Sequence, residues 1–328
     1  MKKFNNRVFG AVMLKAVNSN FNADFSGLPR TLPNGTVYAT DKALKYTIRN
    51  YLKDIYTGSD KGEYIFNFKR VNKDINALTL EEAYTHFRKE FLKIEEEINA
   101  KDKTKALTEL LRCIDIRLFG ATFAMKAKGG NLAVSIHGPV QVNHGINVWH
   151  ENNIYSEQIL SPFRNPKESN KNTGDESKET GQTTIGRQSK LEEGHYFHHF
   201  SINPKNLKDV VSLAEEGAQG LSEEDINKLK EAMRRGATYY DSTSKAGTEN
   251  ELLIWVQLVE NSKAVLPNLN TLITTGDEKK EGKIQMDLSG LDKITQQFQE
   301  EIESIEIFRN EGSISIENKP GKANLFDL

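Results

Sequence analysis

The 328-residue sequence predicts an α/β or α+β sandwich, and three observations predict it. Strand-like and helix-like segments interleave in the order strand, helix, strand, helices, strand, strand, helix, strand. Residues 251–260, Glu-Leu-Leu-Ile-Trp-Val-Gln-Leu-Val-Glu, are nearly continuously apolar, the pattern of a central strand covered on both sides. Leu132, Val134, Ile136, Val140 and Val142 alternate with polar residues, the pattern of a strand with one buried face. With 37% hydrophobic residues, a chain of this length has material for one elaborated domain or two smaller ones.

In chain order, Val8, Phe9, Val12, Met13, Leu14 and Val17 make residues 7–17 the first strand. Residues 18–34 collect Asn, Ser, Gly, Pro and Asp and read as a loop. Thr40 is the expected N-cap of a helix with Asp41 in its first turn, and Leu44, Ile48, Tyr51, Leu52 and Ile55 recur at helical spacing. Lys42, Lys45, Arg49 and Lys53 fall on an adjoining stripe about 80° wide. Only Asp41 and Asp54 lie near them along the helix, so the stripe reads as poorly neutralised and suited to a polyanion, against the ordinary alternative of a solvated flank.

Residues 63–71 read as a second strand, 79–100 as a helix opened by Thr79, Glu81 and Glu82, and 104–118 as another ended by Gly120. Gly138-Pro139 inside the alternating stretch calls for a bulge or an edge position. Residues 164–190 have Ile185 as their only large aliphatic and cannot bury a core. Lying between the strand-like stretches 132–148 and 194–202, they read as a long protruding hairpin or loop, with a domain linker as the alternative. Ser222 caps a further helix, with Glu223, Glu224 and Asp225 in its first turn, Arg234 and Arg235 in its last and Gly236 as its stop.

Lys and Arg number 44 against 46 Asp and Glu, a net charge of −2, but the charge is uneven. Residues 1–60 hold nine cations and four acids, whereas residues 287–328 hold four cations and nine acids. That asymmetry fits a polyanion-binding face paired with an acidic, solvated or self-complementary one. The single cysteine, Cys113, closes no intrachain disulfide and no Cys-rich zinc site, which points to a reducing compartment, the cytoplasm. No stretch reaches the roughly 20 apolar residues of a membrane helix, and Met1 to Arg7 lacks the apolar run of a signal peptide, so no membrane partner is expected.

The usual catalytic signatures are missing: no G-x-x-x-x-G-K-[ST], G-x-G-x-x-G, H-E-x-x-H or G-x-S-x-G occurs. His195, His198 and His199 invite a metal or ribonuclease reading. On a strand, however, His195 and His199 share one face about 13 Å apart while His198 faces the other way. No two of them then ligate one ion easily, and a structural or RNA-contacting role is expected, with neither metal nor cofactor. His137, His144 and His150 are expected in folding-core or hydrogen-bonding roles. The loops, by contrast, repeatedly offer groups that hold a phosphate backbone without reading sequence: Asn18, Asn20 and Arg30; Arg187, Gln188 and Lys190; Arg234, Arg235, Ser242, Ser244 and Lys245.

Three strings carry a resemblance: Asp-Ile-Arg-Leu-Phe-Gly-Ala (115–121), Ile-His-Gly-Pro-Val-Gln-Val-Asn-His-Gly (136–145) and Thr-Ile-Gly-Arg-Gln-Ser (184–189). With Thr47-Ile48-Arg49-Asn50-Tyr51-Leu52 and the aromatic-rich stretch 194–200, they resemble the CRISPR-associated backbone subunit of type I Cascade, closest to the DevR-like, subtype I-B branch. The match runs in order from about residue 6 to 260. Where the family commonly has an Asn-Pro-Asn-Gly-Asp-Pro turn, this chain reads Asn18-Ser19-Asn20-Phe21-Asn22-Ala23-Asp24, with Arg30 in the place of the basic residue that follows.

The resemblance implies an α+β fold: an RRM-like (ferredoxin-like) palm in a single elaborated domain with large insertions. These would be a helical insertion at 72–131, a protruding thumb at 150–193 and a C-terminal extension at 261–328. It further implies a non-catalytic subunit, copies of which stack head to tail along one CRISPR RNA (crRNA) and present it for pairing with target DNA. The implied partners are the large subunit, an end-capping subunit, the repeat-processing ribonuclease and, indirectly, the helicase-nuclease. Such a subunit grips phosphates and riboses and leaves base edges free. The residues expected to do so are Lys42, Lys45, Arg49, Arg187, Arg234, Arg235 and Lys245, with His137, Gln141 and Asn143 reaching from the sheet. The alternative is a metal-independent ribonuclease with His137 or the 195–199 cluster as acid and base, since RRM-like relatives include RNA-cutting enzymes.

Overall fold

The computed structural model describes residues 2–57, 62–150, 152–164 and 182–328. Strand β1 (Val8–Ser19) runs through the middle of the main sheet and is buried on both faces: Val8, Val12, Leu14 and Ala16 point into one apolar cluster, Phe9, Ala11 and Met13 into another. After β2 (Tyr38–Ala39) and α1 (Asp41–Tyr56) come α2 (Leu80–His86), continued by a π-helical turn at Phe87–Phe91, then α3 (Lys103–Leu110) and α4 (Ile114–Phe119). Strands β3 (Gly120–Ala127), β4 (Gly130–His137), β5 (Val140–Val142), β6 (Gly145–Asn147), β7 (Ile154–Arg164) and β8 (Gln182–Ile202) follow. The chain continues through α5 (Lys208–Leu213), α6 (Glu223–Tyr239), β9 (Thr248–Leu258), β10 (Thr274–Lys280) and β11 (Lys283–Asp287). It then passes α7 (Ser289–Gln297), β12 (Ile302–Arg309), β13 (Ile314–Glu317) and β14 (Ala323–Asp327).

Among the described residues the main sheet has the order β14-β12-β9-β1-β8-β6-β2, with β5 and β7 also paired to β8. Helices α1 and α6 cover one face; α7 and the three-stranded sheet β10-β11-β13 cover the other. This explains β9: Leu253 and Trp255 enter the helical core while Leu252, Ile254 and Val256 enter the second one, so residues 252–256 are apolar without interruption.

Several expectations are corrected. Residues 63–71 form no strand, because side chains satisfy their backbone: the distant Asp115 carboxylate accepts from Phe66 N (2.8 Å) and Asn67 N (2.9 Å), and Arg70 Nη2, from within the segment, donates to Ile65 O (2.7 Å). The helix expected over 79–100 ends at Phe91, and that over 104–118 breaks between Leu110 and Ile114. Gly138-Pro139 does not bulge one strand; it divides two, β4 in a hairpin with β3 and β5 in the main sheet. Gly236 does not stop α6, which runs on to Tyr239. A Cβ there would meet Thr47 O at 3.0 Å, so the glycine serves the close approach of α6 to α1. The end of α6 is held instead by the buried Asn250, whose Oδ1 accepts from Ala237 N (3.0 Å) and Thr238 N (3.1 Å) while Nδ2 donates to Met233 O (2.8 Å).

Strands β7 and β8 pair as an antiparallel hairpin, from Ile154↔Leu191 to Arg164↔Gln182. Residues 165–181, on which most of the expected protruding segment falls, lie outside the described residues.

Candidate nucleic-acid interface

Thr40 caps α1 through Ala43 N (3.4 Å), and the cationic stripe stands on one side of the helix. Three of its four cations are neutralised, contrary to expectation. Lys45 Nζ lies 2.9 Å from Asp41, Arg49 Nε lies 3.2 Å from Asp115, and Lys53 pairs with Asp54. Asp115 is out of reach of any helix-spacing argument; it arrives from α4 and is wholly buried. Lys42 is exposed and, among the described residues, has no ion-pair partner.

Sequence spacing missed an aromatic group on this side of α1. Tyr46 stacks on Phe68 (centroids 5.3 Å, 16°) and meets Tyr240 edge-on at 5.3 Å, with Lys53 5.1 Å over the Phe68 ring. Tyr46 follows Lys42 by four residues, so an aromatic ring interleaved with the cations was the available signal. Burial and the Tyr240 hydroxyl 3.4 Å away push the Tyr46 phenol up to about 12, keeping it a hydrogen-bond donor at neutral pH. Phe25 is also missed; fully exposed on the loop after β1, it has the Arg30 guanidinium 5.9 Å over its ring.

The loop 240–245 leads from Tyr240 to the base of the β7–β8 hairpin. Asn20 N donates to Ser244 O (2.6 Å), Asn20 Nδ2 to Ser189 O (3.1 Å) and Gln188 Nε2 to Thr243 O (3.1 Å). Three separate segments, 18–30, 187–190 and 240–245, are thereby brought together with the N-terminus of α1, where Thr40 N bonds Asn22 Oδ1 at 2.9 Å. Their side chains are not equally free. Asn20 is buried, and Lys245 Nζ is held by Phe21 O at 2.6 Å, with its ammonium pushed down by burial. Lys190 pairs with Glu157 at 3.2 Å, and Asn18 Oδ1 accepts from Tyr155 at 3.0 Å. Arg187 is exposed, Ser242 and Ser244 are half-buried. His137, Gln141 and Asn143 are exposed at the ends of β4 and β5, and Gln141 Nε2 turns back to Gly138 O at 2.8 Å.

Arg234 and Arg235 stand apart: they line a cleft with Arg309, Tyr51 and Tyr239 that includes none of the other candidate residues.

The histidine cluster is built into the sheet. His195 is wholly buried, with Nδ1 2.6 Å from Glu251 Oε2 and its ring against Trp149. His198 points to the opposite face, also wholly buried, and its Nδ1–H donates to Asn143 O (2.9 Å). Burial pushes the His198 imidazolium down to about 4, so the ring is neutral at pH 7. His199 Nδ1 accepts from Leu269 N (3.3 Å). Neither His195 nor His198 can reach a substrate, which removes both as acid–base pairs for RNA cleavage. Among the described residues no group of His, Cys, Asp and Glu is placed to hold a metal ion, and no helix is long and apolar enough to cross a membrane.

The family model described as CRISPR-associated protein Cas7 matches residues 6–295. The chain belongs to this family. Among solved structures, a chain of a "CRISPR RNA-guided surveillance complex, pre-nicking" is similar over 98% of this chain and 96% of its own, at 14% identity and a TM-score of 0.50. A second chain, from a "CRISPR RNA-guided surveillance complex", aligns over 97% and 94% at 11% identity and a TM-score of 0.47. No curated protein matches. The fold of this Cas7 chain is thus a mixed α/β fold of the kind found in such complexes.

Proposed function

We propose that this Cas7 protein is a non-catalytic, RNA-binding backbone subunit of a type I Cascade surveillance complex. Copies follow one another head to tail along crRNA and present it for pairing with target DNA in antiviral defence. The large subunit, end-capping subunit and repeat-processing ribonuclease are its partners in the cytoplasm, and the helicase-nuclease acts on the assembled complex. Within the main sheet, β9-β1-β8-β6 with α1 and α6 on one face corresponds to the strand order of an RRM-like palm, which supports that reading of the fold. On it, the β7–β8 hairpin is the thumb.

The observation that carries the function is the convergence of segments 18–30, 187–190 and 240–245 on the N-terminus of α1 at the hairpin base. These linked segments carry an exposed lysine, an exposed arginine, loop hydroxyls and the Tyr46, Phe68 and Tyr240 rings, the mixture that follows a single strand without reading its bases. The test is fluorescence anisotropy on labelled single-stranded RNA with the double variant Lys42→Ala, Arg187→Ala. Affinity is expected to fall by 10-fold or more with equal losses on RNAs of unrelated sequence, and gels should show the RNA intact. Unchanged affinity, or shortened RNA, would sink the reading.

A further inference from the structure

Arg234 and Arg235 lie in a cleft of about 770 Å3 between the end of α6, the start of β9 and the ends of β12 and β14. Arg234 has no carboxylate within 4.0 Å among the described residues; its guanidinium rests 4.2 Å over Phe308, and Nη2 finds only Asp327 O at 3.4 Å. Its Nε is buried without a partner, as is that of Arg309. Arg235 shares Glu231 (3.3 Å) with the Tyr51 and Tyr56 hydroxyls, and Arg309 has Glu311 at 3.3 Å. Burial and the neighbouring Arg235 push the Arg234 guanidinium down, as expected of a cation short of counter-charge. Ile55 and Tyr239, 46% and 43% exposed, stand at the cleft. Arginine, tyrosine and an exposed aliphatic residue make the composition of a protein-contact centre. Glu249 and Glu311 in the same lining are taken up by Lys15 (2.7 Å) and Arg309 (3.3 Å), which leaves Arg234 for a side-chain carboxylate carried on an apolar neighbour.

This chain carries such a surface elsewhere. Glu95 and Glu96, 83% and 82% exposed, have only Lys89 and Lys105 near, each at 3.7 Å. Thr104 on α3 bonds Glu215 at 3.5 Å, which brings the exposed Glu215, Glu216 and Leu213 (69% exposed) beside them. The two surfaces lie towards opposite ends of the strands. The cleft includes Glu249 and Asn250, which pair with Lys15 and Leu14, while α5 and the Glu215 and Glu216 beyond it follow Ile202, which pairs with Val8. Six residues of strand, about 20 Å, separate those rungs.

We propose that the arginine cleft of one copy receives the glutamate ridge formed by residues 95–97 and 213–216 of the next. The contact joins two different surfaces, so it propagates as an open chain rather than closing a dimer. It rests on the backbone reading above and assigns that assembly its surfaces. The test is sedimentation velocity of the full chain on RNA long enough for several copies, with two variants: Arg234→Glu, Arg235→Glu in the cleft, and Glu95→Lys, Glu96→Lys on the exposed ridge. Each variant alone should lose assembly by 10-fold or more in concentration dependence while still binding a short RNA. An equimolar mixture should regain it, because a reversed cleft meets a reversed ridge and the remaining contact is native. Wild-type assembly by either variant, or a mixture that stays dispersed, overturns the contact and leaves the RNA-binding role standing. Loss of short-RNA affinity in the cleft variant with assembly intact makes the cleft an RNA contact and also overturns it. A wild-type chain that binds no RNA overturns the backbone reading itself.

Discussion

At Asp115 a single carboxylate, wholly buried, holds Phe66 N, Asn67 N and Arg49 Nε. Two residues on, Arg117 is as deeply buried: it forks onto Asp225 (3.1 and 2.6 Å), reaches Glu63 at 3.0 Å and caps Leu111 O and Arg112 O at 3.0 Å. The string 115–121 that signals the family is therefore a folding device that ties α4 to α6 and to the irregular stretch after α1. Nothing in its spacing shows this, because every partner comes from another element. His198 is a similar case. Neutral in the fold down to about pH 4, it takes up a proton near pH 6.5 once the chain unfolds. Between those values the unfolded state binds more protons, so stability falls as pH drops through this window and is fully present above it. The contribution is about 2–3 kcal/mol by pH 4.5. Urea unfolding at pH 7.5, 6.0 and 4.5 should show the gap between wild type and His198→Gln narrowing by that amount at the acid end, since the amide can still serve Asn143 O and does not titrate. His144 and Asp41 nearby are unchanged in the variant and cancel in the difference. Parallel pH profiles would show that His198 is not the group responsible.

Elements were legible where one stripe or one face is apolar and the caps are local. Strand β1, helices α1 and α6 with Thr40 and Ser222 as caps, and β9 follow from period and capping alone. Strand β3 was not legible: of its eight residues, Gly120 and Phe123 alone are buried, so no alternation stands out. The small sheet β10-β11-β13 was missed because its strands are short and carry charged residues between the few that pack, Ile284, Met286 and Ile314. For residues 164–190 the legible feature was the opposite one, a want of apolar residues that marks them as unable to bury a core, and that has a consequence for stability. Among the described residues, no side chain between Glu157 and Arg187 belongs to either apolar cluster. Joining Glu157 to Gln188 through an Asn-Gly turn keeps the Ser156–Ser189 bond (2.7 Å) and the Ile154↔Leu191 rung. The truncated chain is expected to melt within a few degrees of wild type by circular dichroism, yet to lose assembly on RNA. A large drop in melting temperature would mean that the hairpin supports the core after all.

For the whole molecule, charge distribution decides how RNA is held. The basic N-terminal and acidic C-terminal segments of the sequence do not become a basic and an acidic end: β1 and β9 to β14 share one structure, and Arg309 from the acidic segment joins Arg234 and Arg235 in one cleft. Sequence counting gives nine candidate cations for a phosphate backbone: Arg30, Lys42, Lys45, Arg49, Arg187, Lys190, Arg234, Arg235 and Lys245. Folding withdraws most of them. Lys45, Arg49 and Lys190 have carboxylates at 2.9, 3.2 and 3.2 Å, Lys245 is held by Phe21 O, and the two arginines of α6 face the cleft. Arg30, Lys42 and Arg187 remain. For a single strand, the slope of log K against log salt is about −0.7 per phosphate neutralised, so three free cations give about −2 per subunit, whereas nine would give about −6. Anisotropy titrations of one subunit on a short RNA across a tenfold range of KCl measure that slope directly. A value near −2 means the internal ion pairs stay closed and the grip relies on hydroxyls, amides and the Tyr46 group. A slope steeper than −4 would show that Lys45, Arg49 and Lys190 leave their carboxylates for the phosphates, and with that the resting geometry of the α1 stripe would cease to describe the bound state.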